Sequence, residues 1–407
     1  MIRTTYYQDL TKMNTFGMKV KARCFMEYDS VADLVDIEFE ELARPVLHIG
    51  GGSNLLFTDD FKGTILHSKI NFIEILDECH SDRDSHCHFD RAERVEKSSE
   101  SVLVSVGAGV VFDDFCDWAA KEGLWGVENL SYIPGEVGAS AVQNIGAYGV
   151  EVKDVIRKVY CYDTVEEEFV NFDVEDCEYG YRDSIFKDPD VKGRYIVTHV
   201  VFALSRDPRP VLDYGHLKEA VDCHFDRAER EEKSLTPALI RKVIVKIRKE
   251  KLPEPSVKGS AGSFFKNPVI SVEHFSKIES AAKAELGADY KVPHYIVECQ
   301  CVPETPSHSV GPSPYPGVGK CPLHTNGTST TSDQASAVKV PAAWLIEQCG
   351  WKGRRSGGAA VWEKQPLVIV NYTGEAYPEE IISLEKRIIA SVKAKFGIEL
   401  HPEVEHI

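Results

Sequence analysis

Two glycine-rich segments, far apart in the sequence, constrain the fold and the ligands of this chain more than any other feature. The first, Gly50–Asn54, directly follows the β-rich run Val46–Ile49. Glycines let a backbone approach a ligand closely and turn its N–H groups toward an anion. The segment suits a pyrophosphate, although it matches neither the G-x-G-x-x-G dinucleotide fingerprint nor a Walker loop. Alone, it could equally be a tight turn.

The second glycine-rich segment extends from Ile133 to Gly149, and small residues with interspersed polar donors dominate it. Such a stretch cannot pack a core by itself, so we expect it to wrap around a ligand. Two anion-binding loops in one chain favour a large dinucleotide with a central pyrophosphate over two unrelated turns. The residues predicted to bind this cofactor are Gly50, Gly51, Gly52, Ser53, Asn54, Leu55, Ile133, Pro134, Gly135, Gly138, Ala139, Ser140, Asn144, Gly146, Ala147, Tyr148 and Gly149.

Three further segments carry groups that could act on a substrate. Tyr179–Lys187 concentrates aromatic and cationic side chains, and the guanidinium of Arg182 could bind a carboxylate, although a surface pair with Asp183 explains it as well. In Gly259–Pro268, a serine among small residues could be a general acid if it is desolvated and hydrogen-bonded, and an ordinary turn is the alternative. Glu403 lies near the C-terminus, where a carboxylate is usually only solvated.

Length and charge limit the class of protein. A chain of 407 residues is too long for one ordinary core and suits about two or three domains. Its formal net charge of -17 disfavours nucleic acid and anionic membranes as partners, because both require a basic surface. Small anions are not excluded, since local groups can hold a phosphate.

The sequence offers no membrane-spanning or secretory signal. It has no stretch of about 18 apolar residues, so we expect no transmembrane helix. The segment Met1–Lys12 lacks the apolar core of a signal peptide. The 11 cysteines are scattered, odd in number and mostly within apolar stretches. We therefore expect reduced thiols and a cytoplasmic location.

Hydrophobic periodicity predicts an α+β fold. Before Pro237 the chain is strand-rich with one clear helix, Val111–Lys121, and beyond it helices and a strand alternate before an extended tail, Ile398–Ile407. The predicted strands are Val46–Ile49, Thr64–His67, Val102–Val106, Val155–Tyr162, Glu168–Phe172, Tyr195–Leu204 and Leu367–Asn371, and the further predicted helices are Ala238–Lys249, Glu273–Leu286, Pro341–Cys349 and Glu379–Lys395.

Three segments resemble insertions. The sequence of Cys87–Ser98 recurs at Cys223–Ser234, with Val95 replaced by Glu231 as the single difference. Both copies are highly charged, which favours duplicated surface loops without a catalytic role, and a paired docking element is the alternative. The third segment, Cys299–Ala337, is rich in Pro, Gly, Ser and Thr and is predicted to be a long flexible loop.

The third insertion also contains potential zinc ligands. Cys299 and Cys301 are followed by Cys321 and His324. Their spacing is not a standard zinc pattern, and the surrounding sequence is of low complexity. We therefore expect no metal site.

Taken together, these motifs resemble those of the UDP-N-acetylenolpyruvoylglucosamine reductase family, also called UDP-N-acetylmuramate dehydrogenase. The resemblance covers nearly the whole chain except the three insertions, and the order of several motifs makes it specific. Tyr214 followed by Gly215 indicates the subtype with a tyrosine on a lid loop. The matching segments are Asn14–Gly17, Gly50–Asn54, Glu128–Gly135, Gln143–Gly149, Gly180–Ser184, Ala261–Pro268, Ala343–Gln348 and Pro402–Val404.

The resemblance implies a two-lobed FAD-binding domain of the type shared with vanillyl-alcohol oxidase and p-cresol methylhydroxylase, followed by a C-terminal α+β substrate-binding domain. FAD is expected to be bound non-covalently, because the family lacks a histidyl tether. The implied organisation is an FAD-binding domain at 1–206 with a charged insert at 78–100, a lid loop and second charged insert at 207–237, a substrate-binding domain at 238–395 with a flexible insert at 296–337, and a tail at 396–407 that returns to the active site.

The resemblance also implies the reaction. NADPH would reduce FAD and leave, and UDP-N-acetylglucosamine enolpyruvate would then accept a hydride at its vinyl carbon, giving UDP-N-acetylmuramate for peptidoglycan synthesis. Hydride addition builds negative charge on the neighbouring carbon and its carboxylate, and this charge must be stabilised where it develops.

The family's functional residues have counterparts in this sequence. By resemblance, Arg182 and Glu403 would stabilise the developing charge, and Ser263 would donate the proton. A carboxyl group can help only if it is protonated or polarised, and a serine needs a relay or a nearby cation because it is a weak acid. The residues matched to substrate contacts are Tyr181, Tyr214 on the lid loop, Lys251 and Asn267.

Two other functions stay open at this stage. One is an oxidase that uses the same FAD scaffold on an alcohol or a sugar, and the other is a catalytically silent protein that binds UDP-sugars or docks to a partner. The joint presence of Arg182, Ser263 and Glu403 favours the reductase. We expect a monomer whose partners are the enolpyruvyl sugar and NADPH, and we expect the insertion at Cys223 to influence closure of the lid.

Overall fold

The computed structural model describes residues 1–76, 101–227, 235–298 and 336–407. These residues form two compact units. The larger contains Met1–Gly262, Asn371–Pro378 and Glu405–Ile407, and the smaller contains Ser263–Val370 and Glu379–Val404. The boundary between the two units thus falls after Gly262, on the C-terminal side of the domain boundary predicted at residue 238. The assignment of a substrate-binding domain stays a prediction.

Both units contain helices and strands. In the described part of the chain the strands are β1 Arg3–Asp9, β2 Lys21–Tyr28, β3 Val46–Ile49, β4 Leu55–Leu56, β5 Phe61–Ser68, β6 Ile73–Ile75, β7 Ser101–Gly107, β8 Gly146–Ala147, β9 Val150–Glu151, β10 Ile156–Asp163, β11 Glu168–Asp173, β12 Tyr195–Ser205, β13 Gly259–Ser260, β14 Val269–Ser271, β15 Tyr295–Glu298, β16 Ser336–Lys339, β17 Arg355–Ser356, β18 Ala359–Val361, β19 Ile369–Asn371 and β20 Glu405–His406. The α-helices are α1 Val31–Val35, α2 Phe112–Lys121, α3 Val137–Gln143, α4 Leu217–Arg227, α5 Pro237–Lys251, α6 Val272–Leu286, α7 Ala342–Gln348 and α8 Pro378–Phe396.

The first sheet of the larger unit supports the Gly50–Asn54 loop. Its strand order is β1-β2-β5-β3, with β1 antiparallel to β2 and with β2 and β3 both parallel to β5. The run Gly63–Ser68 in the central strand is buried throughout, as expected for a strand covered on both faces. Since Gly50 follows the last residue of β3, the loop begins at the carboxyl edge of this parallel pair.

The second sheet of the larger unit has the order β11-β10-β12-β7-β6 and is antiparallel at each pair. Helix α2 packs against this sheet, and the ring centre of Phe115 in α2 lies 4.7 Å from that of Phe202 in β12. Val137 and Ala141 of α3 are fully buried in the same core. The middle part of the second glycine-rich segment therefore contributes to a core that it shares with the sheet and with α2.

Helices α4 and α5 complete the larger unit. Thr236 caps α5, because its side chain accepts a hydrogen bond from the backbone N of Leu239. One face of the helix buries Ile240 and Ile244 against Leu217 of α4. The first five residues of the second charged repeat, Cys223–Arg227, belong to α4 and are helical rather than a loop.

In its described residues, the smaller unit combines an antiparallel sheet of order β14-β16-β15, a hairpin of β17 and β18 beside β19, and the helices α6, α7 and α8. Ser271 caps α6 through the backbone N of His274. The α8 face that carries Leu384, Ile388 and Val392 is fully buried. The period of these apolar residues matches the helical spacing that predicted the helix.

The predicted strands and helices are present, with ends that differ by a few residues. The predictions omitted the helices α1, α3 and α4, the strands β1 and β2, and the short strands β4, β6, β8, β9, β13, β14, β15, β16, β17, β18 and β20. The first charged repeat, most of the second repeat, nearly all of the segment Cys299–Ala337 and the four potential zinc ligands lie outside the described residues. In the ranges that are described, no helix has the length and apolar content needed to cross a membrane.

Candidate functional site

The first glycine-rich loop is held by the segment that precedes β2. The backbone N of Thr15 donates to the carbonyl of Gly52 at 3.2 Å, and its hydroxyl donates to the carbonyl of Ser53 at 3.2 Å. Gly52 has a φ of 60°, and a β-carbon there would lie 2.0 Å from the carbonyl oxygen of Met13. Only glycine fits this position, so the loop has a defined conformation.

The C-terminus adds a short strand beside the first loop. β20 pairs in parallel with β4, and the backbone N of Glu405 donates to the carbonyl of Asn54 at 3.0 Å. The last three residues thus return to the larger unit at the end of the glycine loop. Glu403 belongs to the smaller unit, and its position relative to the loop stays a prediction.

The second glycine-rich segment lies along the turn between β7 and α2. The backbone N of Phe112 donates to the carbonyl of Gly135 at 3.0 Å, and the backbone N of Gly138 donates to the carbonyl of Ala108 at 3.0 Å. Gly135 has a φ of 122°, a conformation that side chains rarely tolerate. The start of α3 is therefore fixed to the core of the second sheet.

The two glycine-rich segments meet. A β-carbon on Gly51 would lie 3.4 Å from the Cα of Gly135, and a β-carbon on Gly135 would lie 2.9 Å from Ser53 Oγ. A β-carbon on Gly50 would lie 3.1 Å from the Cβ of Ala139. We call the surface formed by Gly50–Ser53 and Gly135–Ala139 the glycine cradle. Gly51 is exposed, so a ligand can approach both backbones without meeting side chains.

A buried pair connects the first sheet to the glycine cradle. His67 Nε2 lies 2.9 Å from Glu136 Oε1, and the other ring nitrogen of His67 lies 3.3 Å from Glu27 Oε1. Both His67 and Glu136 are buried, and Glu136 Oε2 lies 3.3 Å from the position of a β-carbon on Gly50. Because a buried carboxylate requires a partner, this contact holds the residue that precedes α3 against the first loop. The sequence analysis missed the pair, since 69 residues separate its members.

A neutral histidine lies in the same sheet. Burial and the nearby His67 lower the pKa of His48 to about 3. His48 Nε2 lies 2.8 Å from the hydroxyl of Tyr28, and burial raises the pKa of that hydroxyl. The neutral imidazole therefore accepts a hydrogen bond from the protonated tyrosine.

Three of the predicted cofactor residues make contacts within the protein. A β-carbon on Gly138 would lie 2.9 Å from the Cβ of Ala108, so this glycine permits close packing of α3. The hydroxyl of Ser140 donates to the carbonyl of Val137 at 2.6 Å and is buried. Asn144 is fully buried, and its amide holds neighbouring segments together. A direct cofactor contact of these three residues stays a prediction.

Arg182 lies in a tight turn, Gly180–Asp183, whose end residues exchange backbone hydrogen bonds of 3.0 and 3.2 Å. Its φ is 57°. Its guanidinium donates to the carbonyl oxygens of Asn144, at 3.2 Å, and of Gly146, and it lies 5.6 Å from the ring of Tyr181. The amide of Asn144 in turn donates to the first carbonyl of the turn at 2.7 Å. The structure thus brings Arg182 together with the end of the second glycine-rich segment.

The predicted lid tyrosine also lies against this segment. The ring of Tyr214 is 6.4 Å from that of Tyr148, at an angle of 84°. A β-carbon on Gly149 would lie 3.3 Å from the Cβ of Tyr214. The buried amide of Asn129 donates to the carbonyls of Tyr148, at 3.0 Å, and of Val211, at 2.8 Å. Asn129 therefore joins the loop before α4 to the second glycine-rich segment, a role that the sequence motif alone did not reveal.

Helix α5 places a further cation, Arg248, beside the second glycine-rich segment. Arg248 Nε donates to the carbonyl of Tyr132 at 3.1 Å. Burial lowers the pKa of Arg248, while burial raises the pKa of the Tyr148 hydroxyl, with which Arg248 interacts. Sequence analysis did not identify Arg248, because one arginine among the basic residues of α5 has no distinguishing signal. The predicted substrate residue Lys251 is exposed at the end of the same helix.

In the smaller unit, the segments that carry Ser263 and Glu403 lie side by side. The backbone N of Glu403 donates to the carbonyl of Phe264 at 2.8 Å, and Phe265 pairs with Pro402 as an antiparallel bridge. Phe264 and Phe265 are buried, whereas Ser263 is exposed. The predicted proton donor therefore lies on a firmly packed segment whose backbone pairs with the segment that carries Glu403.

The predicted substrate residue Asn267 follows in the same segment. Its Oδ1 accepts a hydrogen bond from the backbone N of Ala342, at the start of α7, at 2.9 Å. Arg182 belongs to the larger unit, whereas Ser263 and Glu403 belong to the smaller one. The joint arrangement of the three predicted catalytic residues stays a prediction.

The part of the chain that the structure describes offers no candidate site for a metal ion. No group of three or more His, Cys, Asp or Glu side chains is placed there to hold an ion.

Two family models match the chain. Residues 23–168 match an FAD binding domain, and this range includes both glycine-rich segments. Residues 254–407 match the C-terminal domain of UDP-N-acetylenolpyruvoylglucosamine reductase, and this range includes Ser263, Asn267 and Glu403. These two matches confirm the predicted fold class, an FAD-binding domain followed by a C-terminal domain of mixed helix and strand.

Close relatives match over their full length. A UDP-N-acetylenolpyruvoylglucosamine reductase from Bacteroides fragilis is 43% identical over 399 residues, which is 98% of each chain. One from Porphyromonas gingivalis is 40% identical over 403 residues, covering 98% of this chain and 97% of the relative. The crystal structure of UDP-N-acetylenolpyruvylglucosamine reductase from Thermus caldophilus matches with a TM-score of 0.56 at 19% identity, covering 100% of this chain and 98% of the other, and this likeness shows a shared fold.

Proposed function

Because the chain belongs to the UDP-N-acetylenolpyruvoylglucosamine reductase family, we propose that it reduces UDP-N-acetylglucosamine enolpyruvate to UDP-N-acetylmuramate in peptidoglycan precursor synthesis. It is an FAD-dependent oxidoreductase with NADPH as its co-substrate. The observation that carries the proposal is the meeting of Gly51 and Gly135 within the range matched by the FAD-binding family.

The glycine cradle fits a dinucleotide such as FAD. Side chains are missing where Gly51 faces Gly135, and an anionic pyrophosphate can therefore approach two backbones at once. Bound FAD supplies the hydride for this chemistry. The residues that would hold its pyrophosphate are those of Gly50–Asn54 together with Gly135 and Ala139, and the segment Gly146–Gly149 would also contribute to cofactor binding.

Arg182 is proposed to stabilise negative charge in the reaction. Reduction of the enolpyruvyl group requires a hydride at one vinyl carbon and a proton at the other, and negative charge develops on the second carbon and its carboxylate. A guanidinium can hold a carboxylate through two hydrogen bonds, and it keeps its charge at any working pH. The strained turn at Arg182 supports this role, because unusual backbone conformations concentrate at functional sites.

Ser263 is proposed to donate the proton, with Glu403 beside it. The hydrogen bond between the backbone N of Glu403 and the carbonyl of Phe264 keeps the two segments together. Ser263 is exposed, so the substrate itself must displace water from the hydroxyl. Lys251, Asn267, Tyr181 and the lid residue Tyr214 are proposed to contact the UDP-sugar.

The cellular setting is part of the same proposal. We place the protein in the cytoplasm, where UDP-sugar precursors and NADPH are available, and we propose that it acts as a monomer. Loss of the activity would impair cell-wall growth, cell shape and division, because the product carries the lactyl group to which the cross-linking peptide attaches.

Ser263→Ala tests the proposal by separating its two half-reactions. Under anaerobic conditions, NADPH should bleach the flavin absorbance of the variant at the normal rate. Addition of the enolpyruvyl sugar should then restore the absorbance at least about 100-fold more slowly than in the parent protein, because general acid catalysis contributes about that much. Full turnover by Ser263→Ala would show that the proton comes from elsewhere.

The matched control is Ser356→Ala. Ser356 lies in the same compact unit, where its hydroxyl accepts a hydrogen bond from Arg387 at 3.0 Å. This variant also loses one hydroxyl group, and both of its half-reactions should match those of the parent protein.

A further inference from the structure

The turn that carries Arg182 is attached to the end of α3 and to the residue after it. Ser184 donates from its hydroxyl to the carbonyl of Val142 at 2.6 Å, and Asn144 donates to the carbonyl of Gly180 at 2.7 Å. Ser184 and Asn144 are both buried. These contacts fix the two ends of the turn, but neither acts on Arg182 itself.

Lys187 acts on Arg182 directly. Its ammonium donates to the carbonyl oxygen of Arg182 at 2.8 Å and to Gln143 Oε1 at 3.3 Å. The residue is half-buried and lies at the end of a short 3-10 helix, Ile185–Lys187. Hydrogen bonds from a charged donor are stronger than those between neutral groups, particularly where water is partly excluded.

The carbonyl that Lys187 holds belongs to a strained residue. The φ of 57° at Arg182 is unfavourable for a side chain with a β-carbon, so the turn needs an interaction that favours this conformation. Relief of this strain requires rotation about the N–Cα bond of Arg182, and this rotation would move the carbonyl of Arg182 away from Lys187. The same rotation would move the guanidinium away from the carbonyls of Asn144 and Gly146.

We propose that Lys187 is a positioning residue for Arg182: by binding the carbonyl of Arg182 it keeps the strained turn in the one conformation that directs the guanidinium toward the segment 144–146. This inference rests on the proposed function, in which Arg182 stabilises the charge that develops on the substrate. In this proposal Lys187 acts through Arg182, and its effect is therefore confined to the second half-reaction.

Lys187→Met tests this inference, because it keeps the length and the apolar stem of the side chain and removes the donor. The FAD content and the rate of flavin reduction by NADPH should stay within about twofold of the parent values. Reoxidation by the enolpyruvyl sugar should be slowed by about 10- to 100-fold, since a misplaced catalytic group of this kind typically costs that much. Lys187→Arg keeps a charged donor and should recover most of the lost rate.

Two further variants serve as controls for the Lys187→Met measurement. Lys158→Met removes a lysine of similar burial that pairs with Asp173 at 3.3 Å in the same unit, and both half-reactions should be unaffected. Arg182→Lys should slow the second half-reaction at least as much as Lys187→Met. If Lys187→Met yields no soluble protein, Lys187→Gln, which retains a neutral donor, replaces it and should slow only the second step by a smaller factor.

The possible outcomes separate the two proposals. Failure of the reduced parent protein to react with the enolpyruvyl sugar would overturn the proposed function and this inference with it. If the second half-reaction is slow in Arg182→Lys but normal in Lys187→Met, the proposed role of Lys187 is wrong, whereas the role of Arg182 stands. Equal losses in FAD content and in both half-reactions of Lys187→Met would also overturn it, since they would indicate a general structural defect.

Discussion

The Cα of Gly135 lies 3.4 Å from the position that a β-carbon would occupy on Gly51. The two residues belong to glycine-rich segments that are far apart in the sequence and are attached to different sheets. The first segment is fixed by Thr15 and the second by backbone hydrogen bonds to Ala108 and Phe112. The contact between them creates the surface on which the proposed FAD pyrophosphate binds.

Gly135→Ala should lower FAD affinity more than it lowers stability. The new methyl group would lie 2.9 Å from Ser53 Oγ at the centre of the cradle, and the φ of 122° would be strained. We expect the FAD dissociation constant to rise by at least about 10-fold. Isothermal titration of the apoprotein with FAD measures this change.

The control for backbone strain is Gly193→Ala. Gly193 also has a positive φ, of 83°, but a β-carbon there meets no other atom within 4 Å. Unfolding by urea should show a loss of about 1 kcal/mol for this control, without a change in FAD affinity. An equal loss of FAD affinity in both variants would contradict a direct role for the cradle.

Glu136→Ala should weaken both FAD binding and folding, because it removes the acceptor for His67 Nε2 and leaves a buried donor unpaired. We expect a loss of about 1–3 kcal/mol in the free energy of unfolding. Glu136→Gln keeps an acceptor oxygen and should retain most of the stability and of the FAD affinity. Urea titrations with and without FAD compare the two variants. Indistinguishable Ala and Gln variants would exclude a role for the hydrogen bond.

Stability should fall on acidification partly because of His48. Its pKa is about 3 in the folded protein and 6.5 in the reference state, so between these values the unfolded chain binds the additional proton. The free energy of unfolding therefore decreases as the pH falls from 6.5 toward 3, by up to about 1.4 kcal/mol per pH unit for this one group. His48→Gln should reduce that slope, as measured by urea unfolding at several pH values. An unchanged slope would mean that His48 is protonated in the folded state.

Arg241→Met should destabilise the larger unit. Arg241 on α5 donates to Asp113 Oδ2 at 3.1 Å and to Asp117 Oδ1 at 3.0 Å on α2, and its side chain is 15% exposed. Lys121 and Arg241 together hold the pKa of Asp117 below its usual value. We expect a loss of about 2 kcal/mol in the free energy of unfolding, since one partner of a partly buried pair is removed. The exposed Lys246 provides a control variant, Lys246→Met, that should stay within about 0.5 kcal/mol of the parent.

The sequence was sufficient to predict those helices and strands that are determined by their own local pattern of apolar residues. The helix Pro237–Lys251 buries Leu239, Ile240, Val243 and Ile244 on one face, and this spacing is visible without a structure. The strand Val46–Ile49 and the glycine loop after it were also predicted from local composition. Family resemblance then supplied the reaction and the predicted catalytic residues, whose roles stay predictions.

Features that depend on tertiary contacts were not predictable in this way. Helix α3 contains glycine, serine and short side chains, and it is stabilised by the burial of Val137 and Ala141 in the core rather than by helix propensity. His67 and Glu136 are far apart in the sequence, and the contact of Lys187 with Arg182 depends on the strained turn that carries Arg182. Each of these positions is determined by atoms that are distant in the sequence or by an unusual backbone conformation.

An anaerobic half-reaction series on the purified parent protein tests the central claim most directly. The protein should show flavin absorbance, NADPH should bleach it, and UDP-N-acetylglucosamine enolpyruvate should restore it with formation of one UDP-N-acetylmuramate per flavin. Bleached flavin that the enolpyruvyl sugar fails to reoxidise, and that oxygen alone restores with release of peroxide, would contradict the reductase and favour an oxidase on the same fold.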